Sequence, residues 1–269
     1  MAKVSFCIIT HNTRDFLRDC LDSIYKNVKG VGFEIFVLDN ASTDGTSEML
    51  KSDYPGVELI VNDKNMACGG VARNTLLKRV TTDYAVNLDS DTIVHENAME
   101  HLVRFAEDHG EAGIICPRLQ YLDGSHQYSV RRFPGPIELI CRRLEGKFSK
   151  SERMKRYYFL DRDLTQVQEV DYGIGACHFI RMKALREIGM YDEKIFYGTE
   201  DMEVCARMKK AGHKVIYVPE ATITHREQRI SKKGIFKSAR NFRLFFHLVK
   251  SNIYVQLKYG FFRAVPRVP

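Results

Sequence analysis

The chain has 269 residues, enough for one large α/β domain or two small ones, and its 44% hydrophobic and 28% charged residues are ordinary for a soluble globular protein. Its seven cysteines are scattered, odd in number and never spaced as Cys-x-x-Cys, which argues against a disulfide framework or a structural zinc site and for a reducing compartment. Because we find neither a signal-peptide h-region nor an apolar run near the ~18 residues that a membrane span needs, we expect a soluble cytoplasmic protein.

The first half of the chain alternates between short apolar runs, which predict strands, and segments of helical periodicity, which predict helices. The predicted strands are 4–10, 34–38, 57–61, 84–88 and 113–116, and the predicted helices are 15–28, 46–51, 71–80 and 97–108. This alternation indicates right-handed βαβ crossovers and a Rossmann-like, mostly parallel sheet with helices on both faces. Ligands bind at the carboxyl ends of the strands in such α/β folds.

Beyond Pro117 the pattern is less regular. The elements predicted there are a hairpin over 121–132 with its turn at Asp123-Gly124, a glycine-rich strand from 170, helices over 183–189 and from 200, and a strand over 214–219. The charged stretch 142–156 is expected to be mobile, and ordered structure is expected to return at Val170.

Carboxylates follow two of the predicted strands. Asp39 ends the second strand, in "VLDNASTDGT", where it can accept hydrogen bonds from a ribose or a base, whereas Asp44 fits a helix N-cap. Asp89 and Asp91 end the fourth strand, in "NLDSDTIV", and point to one side of an extended segment. Two close carboxylates repel each other unless a cation is near, and Mg²⁺ and Mn²⁺ prefer oxygen ligands. The pattern predicts a divalent metal site.

The loop "NDKNMACGGVARNTLLK" precedes a predicted helix. Its candidate nucleotide-binding residues are Asn65, Gly70, Arg73 and Asn74, because glycines let a phosphate approach the backbone and a helix N-terminus favours anions. An ordinary glycine-containing loop with a surface arginine explains the same residues equally well. The sequence has no GxGxxG after the first strand and no GxxxxGK[ST], so neither a dinucleotide site nor a P-loop is supported.

Six stretches taken together resemble glycosyltransferase family 2, the inverting enzymes of the GT-A fold. They read "VSFCIITHN", "VLDNASTDGT", "NMACGGVARN", "NLDSDTIV", "GACHFIRMKALREIGMYDE" and "YGTEDMEVCARMKKAGHKVIYVPEATITH". The later stretches are most similar to those of bacterial cell-envelope rhamnosyltransferases. The resemblance implies a GT-A catalytic domain over 1–225, with a nucleotide-binding half over about 1–117 and an acceptor-binding half over 118–225.

The resemblance also implies roles for individual residues. Asp91 would hold the metal, Asp89 would assist at the metal or the ribose, and His225 would complete the metal site, although by itself His225 is an ordinary strand-end histidine. Together with the loop, the implied nucleotide-sugar site comprises Thr10, Asn12, Asp39, Asn65, Gly70, Arg73, Asn74, Asp89, Ser90 and Gly175.

Glu200, Asp201 and Glu203 open a predicted amphipathic helix. Inverting sugar transfer needs a group that takes a proton from the acceptor hydroxyl, and it needs charge stabilisation on the departing diphosphate. A metal at Asp91 would serve the second need. The resemblance matches Glu200-Asp201 to the family's Glu-Asp pair, whose aspartate is the catalytic base. We therefore predict that Asp201 is the base, that Glu200 holds the acceptor or the loop, and that Glu203 faces solvent or helps to cap the helix.

From Arg226 onward the chain carries eleven basic residues and one acid, Glu227. Helical spacing places Ile235, Ala239, Phe242, Phe246, Val249, Ile253 and Leu257 on one face, and Lys233, Lys237, Arg240, Arg243, Lys250 and Lys258 on the other. Residues 226–269 are thus predicted to form a basic amphipathic helical tail. Either its apolar face packs on the catalytic domain, or it lies on an anionic membrane surface, where Phe261 and Phe262 insert. We favour the membrane, which a lipid-linked acceptor would require, and no motif supports a nucleic-acid partner.

These observations predict a metal-dependent inverting glycosyltransferase that uses a nucleotide-sugar donor, dTDP-rhamnose or a UDP-hexose, with Mg²⁺ or Mn²⁺ as cofactor. The acceptor would be a saccharide, linked to lipid, at the inner face of the cell membrane. A sugar nucleotidyltransferase would need a glycine-rich basic loop after the first strand, where this chain reads "THNTRDFL". The other alternative, an inactive nucleotide-binding scaffold, is disfavoured by the intact carboxylate pairs.

Overall fold

The computed structural model describes residues 3–143, 151–226, 239–260, 263 and 265–268. Its strands are β1 (Lys3–Thr10), β2 (Gly32–Asp39), β3 (Glu58–Val61), β4 (Tyr84–Asp89), β5 (Thr92–Val94), β6 (Ala112–Gln120), β7 (Val130–Arg131), β8 (Gln168–Glu169), β9 (Tyr172–Gly173), β10 (Cys177–Arg181) and β11 (Lys214–His225). Its helices are α1 (Arg14–Asn27), α2 (Thr46–Asp53), α3 (Gly70–Leu77), α4 (Ala98–Asp108), α5 (Pro136–Arg143), α6 (Glu152–Tyr157), α7 (Met182–Glu187), α8 (Glu200–Lys210) and α9 (Ala239–Lys258).

The alternation predicted from the sequence is confirmed in these elements. The largest differences in length are in β6 and β11, which continue past their predicted ends at residues 116 and 219. The turn at Asp123-Gly124 forms, with the backbone N–H of Tyr121 donating to the carbonyl of Ser125 at 2.9 Å. The predicted hairpin continues through the antiparallel bridge between Gln120 and His126 to the bond from the N–H of Gln127 to the carbonyl of Leu119 at 2.9 Å, and it ends there because β7 pairs with β9 instead.

A single sheet joins most of the strands, in the order β3-β2-β1-β4-β10-β6-β11-β5, with β8 also paired to β11. The strands from β3 to β4 in this order are parallel, and β11 is parallel to β6. Strand β10 runs antiparallel to both of its neighbours, and so do the short strands β5 and β8 to β11. The predicted mostly parallel sheet is therefore confirmed, with a reversed strand at its centre.

Two apolar clusters cover the two faces of the sheet. Phe6 and Ile8 of β1 pack with Leu17 and Leu21 of α1, whereas Cys7 belongs to the other cluster, which includes α3, α7 and α8. Alternate residues of a strand point to opposite faces, so β1 reads as a continuous apolar run because both of its faces are buried.

The register of the strands brings their polar ends to one edge of the sheet. Thr10 at the end of β1 pairs with Asp39 at the end of β2, and Ile9 pairs with Asp89 at the end of β4. Parallel strands end at the same edge, so residues far apart in the sequence become neighbours.

Strands β10 and β11, from the second half of the chain, also contribute residues to this edge of the sheet. Because β10 is antiparallel to β4, it starts where β4 ends, with Cys177 opposite Leu88, and the segment 173–176 joins the edge. Strand β11 ends there with His225 opposite Thr92. The second half of the chain therefore adds its own side chains to the strand ends of the first half.

Helix α9 is fixed to the rest of the chain by a buried carboxylate. Glu203 of α8 is fully buried, and it accepts hydrogen bonds from Arg207 at 2.7 Å, from Lys258 at 2.8 Å and from the hydroxyl of Tyr259 at 2.9 Å. The prediction that Glu203 faces solvent is wrong, because α9 covers it. Nothing near Glu203 in the sequence signals the two α9 partners.

The predicted amphipathic helix forms over the part of the tail that the structure describes. The side of it that packs on the domain is opposite to the predicted apolar face. Ser251, Val255 and Tyr259 are buried against the domain, whereas the described members of the predicted apolar face are exposed, namely Phe242, Phe246, Val249, Ile253 and Leu257. The interpretation in which that face packs on the domain is therefore wrong. Residues 227–238 and 261–262, which include predicted members of both faces, lie outside the described residues, and the division at residue 225 remains a prediction.

Among the described residues, no helix combines the length and the apolar composition that crossing a bilayer requires.

We predict that Glu203→Gln destabilises the protein by about 3–5 kcal/mol, because it removes the charge that Arg207 and Lys258 share in a buried setting. Chemical denaturation measures this change. Glu152→Gln is the matched control, since Glu152 is exposed and its ion pair within the described part of the chain is with its helix neighbour Lys155, and it should change the free energy of unfolding by less than about 0.5 kcal/mol. Equal effects of the two substitutions would contradict the role given to Glu203.

Candidate active site

A cleft of about 470 Å³ opens at the edge of the sheet where the strand ends meet. Five predicted site residues line it, namely Thr10, Asn65, Asp89, Ser90 and Asp91. The opposite wall comes from the segment before α8 and from α9. The structure therefore brings together residues from both halves of the chain and from the tail helix.

Hydroxyl groups form a short chain at the floor of the cleft. The Oγ1 atom of Thr10 lies 2.8 Å from that of Thr13, which in turn lies 2.9 Å from the Oγ of Ser90. Thr10 and Ser90 are both buried, so their hydroxyls are held in place by this chain. The chain joins the end of β1 to the segment between Asp89 and Asp91.

Asp89, Asp91 and His225 form a group that fits a divalent cation. One ligand atom from each lies within 4.8 Å of the others. Nδ1 of His225 lies 2.9 Å from Oε1 of Gln127, to which it can donate a hydrogen bond, and Nε2 faces Oδ1 of Asp91 at 3.4 Å, so Nε2 is the nitrogen available to a cation. In a metal-binding histidine, one ring nitrogen usually makes such a hydrogen bond, which orients the other ring nitrogen to the metal. Two carboxylates with one imidazole suit Mn²⁺, and the carboxylates suit Mg²⁺.

The electrostatics of Asp89 favour a nearby cation. Desolvation at the cleft floor raises the pKa of Asp89 to about 6, with Arg73 opposing the shift and Asp91 adding to it. The Asp89 side chain keeps 40% of its surface open, so water screens part of this shift. An upward shift of the pKa is expected for a carboxylate beside a second carboxylate, and a nearby cation would reduce it.

Arg73 links this group to the second pair of carboxylates. Its side chain is only 5% exposed, and its Nη2 atom lies 3.4 Å from Oε1 of Glu200 and 4.0 Å from Oδ1 of Asp89. Burial raises the pKa of Glu200, while the charge of Arg73 opposes that shift. The structure places Arg73 behind the cleft wall, between the two acidic groups, and binding of the nucleotide by Arg73 stays a prediction.

Glu200 and Asp201 differ in how they are held. Glu200 is buried and accepts a hydrogen bond from the backbone N–H of Gly198 at 2.8 Å, whereas Asp201 is partly exposed and accepts one from the backbone N–H of Gly175 at 3.1 Å. A side chain at Gly175 would bring a Cβ within 2.8 Å of Nη2 of Arg73. A larger residue at this position would therefore displace the guanidinium of Arg73.

Two predicted nucleotide-binding residues support a loop. Asp39 is buried at 1% exposure, and its carboxylate accepts the backbone N–H of Ser42 at 2.9 Å and the hydroxyl of Ser47. Oδ1 of Asn12 accepts the backbone N–H of Thr43 at 2.7 Å. Both residues thus fix the loop after β2, and their contact with a nucleotide stays a prediction.

Gly70 and Asn74 connect α3 to the segment that leads into α8. The backbone N–H of Gly70 donates to Ile195 at 2.9 Å, and a Cβ there would lie 2.2 Å from the carbonyl oxygen of Asp192. The side-chain amide of Asn74 bonds both the N–H and the carbonyl of Tyr191, each at 3.0 Å. These bonds position the segment before Glu200, and neither residue lines the cleft.

Sequence reasoning missed several residues of the cleft wall. Asn40 accepts the N–H of Met66 at 2.8 Å and donates to the carbonyl of Ala67 at 2.7 Å, which holds the loop that carries Asn65. Its position directly after Asp39 at a strand end was a usable signal. Arg243 lines the cleft from α9, and no local pattern indicates that, because its approach depends on how α9 packs.

We predict an acid-sensitive step in stability from His178, which holds the loop before β10. The ring is fully buried, its Nε2 lies 2.9 Å from the carbonyl oxygen of Gly173, and burial lowers its pKa to about 4. The folded state therefore binds fewer protons than the unfolded state between about pH 6.5 and 4, and its stability falls as the pH falls through this window.

His178→Gln is the comparison, because its amide preserves a donor to Gly173 and does not titrate in this range. Between pH 7 and 4, the free energy of unfolding of the wild type should fall by up to about 3 kcal/mol more than that of His178→Gln. Denaturant titrations at several pH values measure the difference. Parallel pH profiles for the two proteins would contradict it.

Comparisons with known proteins agree with this geometry. A profile of the family described as "Glycosyl transferase family 2" matches residues 5–189, more than half of the chain. The N-acetylglucosaminyl-diphospho-decaprenol L-rhamnosyltransferase of Mycobacterium tuberculosis is 26% identical over 201 residues, which cover 71% of this chain and 66%, just under two thirds, of that protein. The rhamnosyltransferase WbbL of Escherichia coli K12 is 22% identical over 245 residues, 88% of each protein.

Among solved structures, that of GalNAc-T7 with UDP, GalNAc and Mn²⁺ aligns with a TM-score of 0.61 at 18% identity, covering 84% of this chain and 44% of that chain. At this identity the likeness concerns the fold, which is the predicted GT-A fold. The profile match shows more: the chain belongs to glycosyltransferase family 2. The resemblance found in the sequence is thereby confirmed at the level of family and fold.

Proposed function

We propose that this chain transfers a sugar, with inversion, from a nucleotide-activated donor to a hydroxyl of a saccharide acceptor, with a divalent cation at Asp89, Asp91 and His225. One observation carries the proposal: Asp89 and Asp91 line the cleft and form with His225 a group that has the chemistry of a metal site, and buried Arg73 links Asp89 to Glu200, the neighbour of the partly exposed Asp201. This arrangement fits the two needs of the reaction, charge stabilisation on the diphosphate and removal of a proton.

Asp201 is the proposed base. Its Oδ2 accepts the backbone N–H of Gly175 at 3.1 Å and its Oδ1 that of Met202 at 2.7 Å, and since each carboxylate oxygen has two lone pairs, Asp201 retains capacity to receive a proton from an acceptor hydroxyl. Glu200 is buried and bonded to Gly198, which suits a residue that holds the loop. No enzymic nucleophile is required, because inversion proceeds by direct attack of the acceptor oxygen on the anomeric carbon while the bond to the diphosphate breaks.

A cation bound at Asp91 would act as a Lewis acid and stabilise the negative charge on the leaving diphosphate. The hydroxyl chain from Thr10 to Ser90 and the side chains of Asn65 and Arg243 line the rest of the cleft. We assign these groups to the binding of the nucleotide sugar, because hydroxyls, amides and a guanidinium donate hydrogen bonds to ribose and phosphate oxygens.

The relatives suggest the finer identity of the substrates. The mycobacterial and Escherichia coli relatives are named as rhamnosyltransferases, and the first of these names specifies an acceptor that carries N-acetylglucosamine on a decaprenol diphosphate. We therefore propose dTDP-rhamnose as the donor, with a UDP-hexose as the second choice, and a lipid-linked saccharide as the acceptor in cell-envelope polysaccharide synthesis. Such an enzyme would work peripherally on the inner face of the cell membrane.

We predict that EDTA abolishes transfer and that Mn²⁺ or Mg²⁺ restores it. Asp91→Asn should remove most of the metal-dependent activity, and Gln127→Leu should lower the apparent metal affinity by about 10–100-fold, because Gln127 orients His225. Metal titrations of activity, with Mn²⁺ binding followed by electron paramagnetic resonance, measure both effects. Full activity in the presence of EDTA would rule out the metal site.

We predict that Asp201→Asn lowers turnover by ~10²–10⁴-fold while the affinity for the nucleotide sugar stays within about twofold, because the amide cannot accept the proton. Single-turnover assays and calorimetry measure the two quantities. Asp108→Asn, the same substitution at an exposed site at the end of α4, is the matched control and should behave as the wild type. Unchanged turnover in Asp201→Asn would remove this residue from the role of base.

A further inference from the structure

We propose that the exposed apolar side of α9 inserts into the surface of an anionic lipid bilayer and thereby sets the cleft beside its acceptor. The inference deepens the proposed function and rests on it only for the lipid-linked acceptor. The inserting surface consists of Phe242, Phe246, Val249, Ile253 and Leu257, which we term the α9 stripe.

The α9 stripe is a single continuous surface. Its members follow one another at intervals of four, three, four and four residues, so they lie on one side of the helix. All five are between 37% and 71% exposed. The stripe runs for ~22 Å along the helix. Scattered apolar residues are normal on a protein surface, whereas a rigid row of this length is typical of an interaction surface.

The helix cannot turn its stripe inward, because its other side is held. Tyr254 donates to Asp192 at 2.7 Å, Lys258 bonds both Asp192 and the buried Glu203, and the side chain of Gln256 donates to the carbonyl of Pro134 at 3.1 Å. These contacts come from the side of α9 that faces the domain. The stripe is therefore presented outward by the fold itself.

The basic residues beside the α9 stripe favour a lipid surface, rather than a second copy of this chain, as the partner of the stripe. Arg243 and Lys250 are exposed and lie beside the stripe at helical spacing, and α9 contains neither aspartate nor glutamate. Basic residues that border an apolar helix face are the signature of helices that lie on anionic membranes. Two copies meeting through the stripe would instead bring like charges together, which disfavours that contact.

The same helix also borders the cleft. Arg243 and Leu244 line the cleft wall, and Leu248 packs so closely on Gly198 that a Cβ there would lie 2.4 Å from its Cδ1 atom. Gly198 in turn binds Glu200 through its N–H. A bilayer in contact with the stripe therefore lies within one helix diameter of the cleft, which lets the lipid of the acceptor remain in the membrane while its sugar enters.

The test is co-sedimentation of the full chain with vesicles of phosphatidylglycerol and phosphatidylcholine. The double variant Phe246→Ser/Ile253→Ser should reduce vesicle binding by about 10-fold or more, because each buried apolar group contributes to insertion. The matched control is Leu122→Ser/Val167→Ser, which removes two exposed apolar side chains far from α9 in sequence, and it should bind as the wild type. Thermal melts verify that both variants fold.

A second variant tests the charge. Lys250→Gln should weaken binding to phosphatidylglycerol vesicles by about 5-fold and leave binding to pure phosphatidylcholine unchanged. A loss on both kinds of vesicle, or on neither, would contradict the electrostatic part of the proposal.

Enzyme assays separate this proposal from the proposed function. The double variant should retain donor hydrolysis and transfer to a water-soluble acceptor, and lose transfer to a vesicle-embedded one. If no protein, wild type included, transfers sugar, the proposed function fails while the vesicle result still stands. Equal vesicle binding of the double variant and the wild type would overturn the membrane proposal. So would a wild-type dimer, seen by sedimentation, that the double variant dissociates, because the stripe would then be a protein interface.

Discussion

The repulsion among carboxylates gathered at one edge of the sheet is the constraint on which the site depends. Asp89 and Asp91 line the cleft, Glu200 and Asp201 follow beyond Arg73, and the one among these four that is both buried and paired, Glu200, faces the guanidinium of Arg73. An internal cation therefore stabilises one half of the site, while the other half has the donor set of a metal site. Such an arrangement keeps acidic groups close without neutralising them, which is what a base beside an electrophilic centre requires.

Many polar residues near the cleft hold loops in place. Asp39 fixes the loop after β2, Asn40 fixes the loop that carries Asn65, and Asn74 fixes the segment before α8. Each of these side chains bonds backbone groups that no sheet or helix satisfies. The walls of the cleft are loops, so their shape depends on such bonds, and a substitution here would alter binding through the loop even where no atom touches the substrate.

Helix α9 connects three properties that are usually separate. Its inner side is fixed by Glu203 and Asp192, one of its edges borders the cleft at Arg243, and its outer side carries the α9 stripe. Anchoring, the proposed substrate contact and the proposed docking therefore act through one rigid element. A change in how the helix seats on the domain would alter all three together.

The sequence by itself determined the main alternating strands and helices of the first half and the carboxylates at the strand ends, because these depend on local periodicity and on the rule that ligands bind at the carboxyl ends of parallel strands. It placed Asp89, Asp91 and Asp201 among the candidates, and it identified the family through six short stretches. Only the tertiary structure decided that β10 runs backwards, that Glu203 is buried and that α9 packs by the side opposite to its apolar face. These features depend on contacts between residues far apart in the chain, and helical periodicity identifies an apolar face without specifying what covers it.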